Sequence, residues 1–291
     1  MITDASFQDI DGDGDEDLLV VGEWMKPQVF INEANKFELR EEAVADRYGW
    51  WSSLHAVDLE QDGDIDFVAG NHGTNSRFKP SVEQPMYLDI YDFDSNGTIE
   101  HIYSREVDGK VLPYTLKQDL VMQIPSMKKE FLKFTDYKDK TLEEVFGPEL
   151  LQKATRLTAN WFYTSILRND GKGNFTLEAM KGAAQYAPVY SIHSMENVEG
   201  FPDLLLGGNQ YRAKPQVGIY AANHGVYYRN ERGELNSIDH LSSGFYLEGE
   251  VRAIATVDVG SKRLLVVART DDKPLFFEVA SDKIVSDTSY D

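Results

Sequence analysis

The chain has no cysteine, which excludes disulfides, thiolate nucleophiles and zinc–thiolate sites. It has no uninterrupted apolar run of the ~18 residues that a bilayer-spanning helix needs. Its opening, MITDASFQDI, has neither the basic region nor the apolar stretch of a signal peptide. Basic residues are outnumbered: 29 Lys and Arg against 49 Asp and Glu leave a formal charge of −20. No basic stripe exists to neutralise phosphates, so nucleic acid is excluded as a partner, and an anionic membrane surface is disfavoured. The sequence also lacks a G-x-S-x-G elbow, a phosphate-binding glycine loop and an H-E-x-x-H helix, and its six histidines are scattered. What it does have is a hydrophobic content of 42%, ordinary for a packed globular protein, and 291 residues, enough for one large or two medium domains.

The acidic residues are not spread evenly. The stretch DIDGDGDED places Asp9, Asp11, Asp13, Asp15 and Asp17 at alternate positions with Gly14 between them. DLEQDGDID repeats the spacing with Asp58, Glu60, Asp62, Asp64 and Asp66, and DFDSNGTIE with Asp92, Asp94, Asn96, Thr98 and Glu100. All three loops carry oxygen-bearing side chains at positions 1, 3, 5 and 9 and glycine at position 6. Calcium takes six to eight oxygens at about 2.3–2.6 Å, and alternate residues of a curled loop aim their carboxylates at one centre. Position 7 (Asp15, Asp64, Thr98) would add a backbone carbonyl. Magnesium fits less well, because it keeps more of its water. The spacing therefore predicts about three calcium sites. The competing reading is a solvated acidic turn, since Asp-Gly is also a common turn dipeptide.

These loops are not EF-hands. Position 12 is Val20, Ala69 or Tyr103 rather than glutamate, and the runs LLVVG, FVAG and IEHIY at the loop ends have the composition of strands rather than helices. The strand phrase recurs as DLLVVG, DFVAG and DLLLGG, and Lys26-Pro27-Gln28-Val29 recurs as Lys214-Pro215-Gln216-Val217. Such antiparallel meanders at irregular intervals predict an all-β fold, a β-propeller of four-stranded blades with about five visible. The blades are placed at 2–45, 46–84, 85–180, 181–238 and 239–281, with a tail at 282–291. Residues 116–160 break the pattern. Met127, Phe131, Phe134, Leu142, Val145 and Phe146 fall at helical spacing, and Thr141 with Glu144 forms a capping box, so a helical insertion is expected inside the third unit. It either covers a sheet edge or serves as a partner-binding or substrate-capping element.

The acidic loops, with the phrases F-x-N and RNDGKGNFT, resemble FG-GAP/VCBS-type repeats, the calcium-loop blades of integrin-like propellers. WWSSLHAVDLEQDGDIDFVAGNHG and SILRNDGKGNFTLEAM are similar to bacterial relatives of cartilage acidic protein. That resemblance implies a seven-bladed ring, with further blades supplied by a larger chain, and an extracytoplasmic (secreted, periplasmic or cell-surface) place. It also implies a binding or scaffolding role. The fourth unit, SMENVEGFPDLLLGGN, departs from the pattern, with Met195 at position 1, Asn197 at 3, Glu199 at 5 and Asp203 at 9. The last unit keeps only Asp258.

The expected function is a non-enzymatic, calcium-stabilised adhesion module that recognises a protein or glycan ligand. Trp24, Trp50, Trp51, Trp161 and Tyr211 are candidates for a recognition platform, although aromatics of this kind more often pack between blades. The alternative is a polysaccharide hydrolase or lyase on the same scaffold, with His55 or His72 as its base.

Overall fold

A computed structural model describes residues 1–214 and 217–279 and the backbone of 284–286. Pro215 and Gln216 of the second KPQV phrase, and most of the expected tail, lie outside the described residues. The chain forms two compact units: Met1–Lys79 with Phe162–Asp291, and Pro80–Trp161.

The first unit holds four antiparallel sheets. Sheet one runs in order through β1 (Ile2–Gln8), β2 (Asp17–Met25), β3 (Gln28–Glu33) and β4 (Lys36–Leu39), with β5 (Gly49–Trp50) on the far end of β2. Sheet two contains β6 (Ser53–Val57) and β7 (Asp66–Gly70), completed by β12 (Ser165–Asn169) and β13 (Phe175–Ala179). Sheet three is β14 (Val189–Glu196), β15 (Pro202–Gly208), β16 (Val226–Glu231) and β17 (Glu234–Ile238). A single-turn helix, α6 (His240–Ser243), leads to sheet four: β18 (Val251–Val259), β19 (Lys262–Arg269), β20 (Leu275–Val279) and β21 (Ile284–Ser286). Thus part of the expected tail is strand.

The first strands carry the stacking. β1 packs on β6, β6 on β14, and β14 on β18. In β15, the second strand of sheet three, both faces are apolar because the strand is sandwiched. Leu204 and Leu206 of β15 meet Val57, Val68 and Ile166 on one side, and Leu205 meets Val251, Leu265 and Val267 on the other. This is why DLLLGG and its counterparts read as continuous apolar runs rather than alternating ones. The architecture is all-β and propeller-like, as the repeat predicts.

The second unit carries the fifth sheet, in the order β10 (Lys110–Pro113), β9 (Glu100–Val107), β8 (Met86–Tyr91) and β11 (Thr155–Ala159). Five short helices precede β11: α1 (Lys117–Gln123), α2 (Met127–Glu130), α3 (Phe134–Tyr137), α4 (Leu142–Phe146) and α5 (Pro148–Lys153). Thr141 and Glu144 form the expected capping box, with amide-to-oxygen distances of 3.2 and 2.8 Å. Leu120, Ile124, Phe131, Leu142, Val145 and Phe146 bury against Phe93 and Ile102 of this unit. Phe134, expected on the same face, is 69% exposed.

Two boundaries differ from the sequence reading. The helical stretch stops before residue 155, because TRLTA pairs with β8 as a strand. The third unit, expected at 85–180, also loses its last two strands. Ile166 and Leu167 pair with Val68 and Phe67 and so complete sheet two. The inserted segment is therefore a whole sheet with its helices, placed in the chain between the second and third strands of another sheet.

Candidate metal centre

The three acidic loops each lead into a strand: β2, β7 and β9. Their local fold follows from the first aspartate, whose carboxylate caps the backbone amide of the position-6 glycine. Gly14 donates to Asp9 at 3.1 Å, Gly63 to Asp58 at 3.0 Å and Gly97 to Asp92 at 2.9 Å. These glycines have φ of 96°, 98° and 87°, a left-handed backbone that costs other residues free energy. The position-5 side chains hold the turn as well. Asp13, Asp62 and Asn96 accept from the amides of Asp15, Asp64 and Thr98 at 2.9, 3.1 and 2.7 Å.

Position 9 opens the strand and is buried in every loop: Asp17, Asp66 and Glu100. In loops one and three it is drawn beneath the turn by the position-2 amide. Ile10 donates to Asp17 at 2.9 Å and Phe93 to Glu100 at 2.7 Å. This brings Asp9, Asp11 and Asp17 together, with one oxygen from each lying within 4.8 Å of the others, and does the same for Asp92, Asp94 and Glu100. Asp13 and Asp15 are not among the grouped acids; the Asp13 and Asn96 side chains accept from the turn amides of Asp15 and Thr98. Burial, reinforced by Asp17, Asp13 and Asp9, pushes the Asp11 carboxyl above its ordinary value. Burial raises Glu100 as well, with Asp94 and Asp92 adding to the effect. Asp11 Oδ1 is buried and accepts no hydrogen bond. All of the donors are oxygens, which suits a hard divalent cation of the calcium type.

Loop two carries the same motif but is built differently. Asp58, Glu60, Asp62, Asp64 and Asp66 form no comparable cluster among the described residues. Arg168 of β12 pairs with Glu60 and lies 3.4 Å from Asp66 Oδ2. Asp66 accepts from the amide of Asn169 at 2.9 Å. Its burial, with Glu60 alongside, pushes its carboxyl up to about 7 despite the opposing amide and guanidinium.

The fourth unit uses neutral donors. Asp203 is buried and accepts from Asn197 Nδ2 at 2.7 Å, from the Asn230 amide at 2.8 Å and from the Tyr227 hydroxyl at 2.5 Å. In the last unit Asp258 forms an exposed pair with Arg263 at 3.0 Å.

The histidines and tryptophans occupy other places. Trp51 is fully buried and its indole donates to the Met25 carbonyl at 3.0 Å, so it is core. His72 is buried among Trp50, Phe162 and Tyr220, with ring centroids 5.0, 5.2 and 4.8 Å away, and Trp24 lies 5.3 Å from Trp50. Burial holds His72 and His55 down to about 4. His55 is bonded to Ser194 Oγ at 2.9 Å. Tyr211 is partly exposed. Trp161 belongs to the inserted unit.

Residues 9–69 match the family model of an FG-GAP-like repeat. The matched segment resembles that repeat. It contains both the clustered loop one and the guanidinium-paired loop two, with the strands β2 to β7 between and after them. No curated protein matches the chain, and nothing supports the narrower likeness to relatives of cartilage acidic protein.

Sequence reasoning missed Arg168 and Tyr227, and it placed Asn197 without its role as a donor to Asp203. It also overlooked a row of asparagines, Asn32, Asn169 and Asn230, whose backbone amides bind the position-9 acids Asp17, Asp66 and Asp203. Their signal is present as FIN, LRN and YRN at one place in each sheet.

Proposed function

We propose that the chain is a calcium-stabilised binding or adhesion module, with ions held by Asp9, Asp11 and Asp17 and by Asp92, Asp94 and Glu100. The FG-GAP-like repeat and the all-β propeller-like fold support a binding or adhesion module. The observation that carries the calcium reading is the first cluster, three convergent carboxylates with Asp11 Oδ1 buried and unpaired. Without a cation, crowding costs stability. With one, the same crowding becomes binding free energy, and the loop is fixed to the start of its strand. Calcium is structural in this reading. Such sites fill at extracellular calcium levels, which favours an extracytoplasmic place. The partner is a protein or glycan. Among the described residues no helix is long and apolar enough to cross a membrane.

The hydrolase or lyase alternative has little geometric support. His72 is enclosed by rings, and His55 is tied to a serine within the stack.

Melting measured in chelator and in millimolar calcium tests the calcium reading. A ligand that binds only the folded form at about 100 times its Kd adds ~2.7 kcal/mol per site. Calcium should raise the melting temperature, and Asp11→Asn should reduce bound calcium by one ion. An unchanged melting curve on demonstrably metal-loaded protein overturns the proposal.

A further inference from the structure

The second acidic loop has the same spacing as the first and the same cap from its leading aspartate, but its interior is not vacant. Arg168 enters from β12 with its side chain only 19% exposed. Its guanidinium pairs with Glu60, the position-3 acid that corresponds to Asp11, and lies 3.4 Å from Asp66, the position-9 acid that corresponds to Asp17. It also donates to the Gly233 carbonyl at 2.8 Å and lies 3.6 Å from Glu178. Gly233 itself sits against Glu60: a Cβ on it would come within 2.8 Å of Glu60 Cγ. The turn between β16 and β17 therefore closes over Glu60 from the next sheet.

The equivalent place in sheet one is occupied by Ile31, buried and without charge. Arg168 and Ile31 each precede the asparagine whose amide binds the position-9 acid. The loop with isoleucine leaves Asp11 Oδ1 unpaired. The loop with arginine has its position-3 and position-9 acids satisfied by a planar, permanently charged group that bonds several oxygens at once. A divalent ion in the same space would face a fixed positive charge at contact distance, in surroundings that screen it poorly.

We propose that Arg168 is the resident cation of the second loop and that this loop takes no metal. Resting on the calcium reading of loops one and three, this sets the capacity of the three motif loops at two ions rather than three.

Two measurements test it. The first is calcium stoichiometry by equilibrium dialysis of the full chain, for wild type, Asp11→Asn and the double variant Asp62→Asn/Asp64→Asn, whose substituted side chains do not contact Arg168. Two ions for wild type, one for Asp11→Asn and two for the double variant are expected. Three ions for wild type, or loss of one in the double variant, overturns the proposal while leaving the calcium reading intact. The second is made in chelator, so it stands even if the chain binds no calcium. Arg168→Met should lower the melting temperature by several degrees, and adding Glu60→Gln should restore part of the loss, because it removes the carboxylate left uncompensated. Additive losses from the two substitutions overturn the role of Arg168 as counter-cation.

Discussion

The side-chain amide of Asn169 in sheet two donates to the backbone carbonyl of Ile10 in the first acidic loop of sheet one, at 2.8 Å. One sheet further on, Asn230 donates to the carbonyl of Leu59 in the second loop, at 2.9 Å. Ile10 and Leu59 both hold position 2 of their loops, so the same latch joins each loop to the next sheet. The latch also folds back on its own turn: Asn169 Oδ1 accepts from Gly171 at 3.1 Å, and Asn230 Oδ1 accepts from Gly233 at 2.7 Å. Asn230→Ala leaves a buried carbonyl and a buried amide without partners, at ~1–3 kcal/mol for each group. Asn230→Asp keeps the acceptor but sets a buried carboxylate against the Leu59 carbonyl, so at neutral pH it should be no more stable than alanine and should recover as pH falls and the acid protonates. Urea unfolding midpoints at about pH 7 and pH 5 check this.

Close backbone approach sets a second expectation. β7 ends at Gly70, where an added Cβ would lie 2.3 Å from the carbonyl oxygen of Val189 at the start of sheet three. That atom is backbone and cannot rotate away. The φ of Gly70 is not in the left-handed region, so the cost of Gly70→Ala is steric and reports the spacing of sheets two and three. A loss of ~1–3 kcal/mol is expected from overpacking of this kind, read as a lowered melting temperature with unchanged far-ultraviolet circular dichroism.

Much of this architecture was legible because its signals are local. Alternate carboxylates with glycine at position 6 marked the loops, apolar runs marked the sandwiched strands, and Thr141 with Glu144 marked a helix start. The completion of sheet two by Ile166 and Leu167 was hidden, because the pairing spans an inserted sheet and nothing in SILRN names β7 as its neighbour. The acidic loops show the same limit. Glu60 and Asp11 are equivalent by spacing, and what separates them is a residue about a hundred positions away, Arg168. Asn197 was read only as position 3 of a unit that departs from the pattern. In the structure it is a donor that satisfies Asp203.

Acid should destabilise the stack through its buried histidines. His72 and His55 are each held down from 6.5 to about 4, in both cases chiefly by burial, with His193 adding repulsion at His55. A folded-state value below the unfolded one means that the unfolded chain takes up protons first as pH falls. The stabilisation is therefore whole above pH 6.5 and is lost progressively as pH falls through 4. For His72, enclosed by Trp50, Phe162 and Tyr220, the linkage is on the order of 3 kcal/mol. Unfolding free energy from urea titrations should fall between about pH 7.5 and 4.5, and His72→Gln should flatten that dependence while lowering stability at the upper end.

The fourth unit offers a test of how charge and neutral donors exchange within one loop. Asn197 holds position 3, where loop one has Asp11, and its amide donates to Asp203 at 2.7 Å and to the Asn230 carbonyl at 3.0 Å. Asn197→Asp replaces both donated bonds with a carboxylate facing a buried carboxylate, a like-charge contact that forces one group to hold a proton or the loop to open. At neutral pH in chelator the variant should lose ~1–3 kcal/mol, as expected for a buried acceptor deprived of its donor. Lowering the pH should narrow the gap, because protonating one acid restores a donor between them. Millimolar calcium should narrow it as well if a divalent ion can fill the place that the amide vacates. Melting curves at about pH 7 and pH 5, each with chelator or calcium, separate these terms. Wild-type stability for the variant at neutral pH in chelator would show that the Asn197 amide does not hold Asp203.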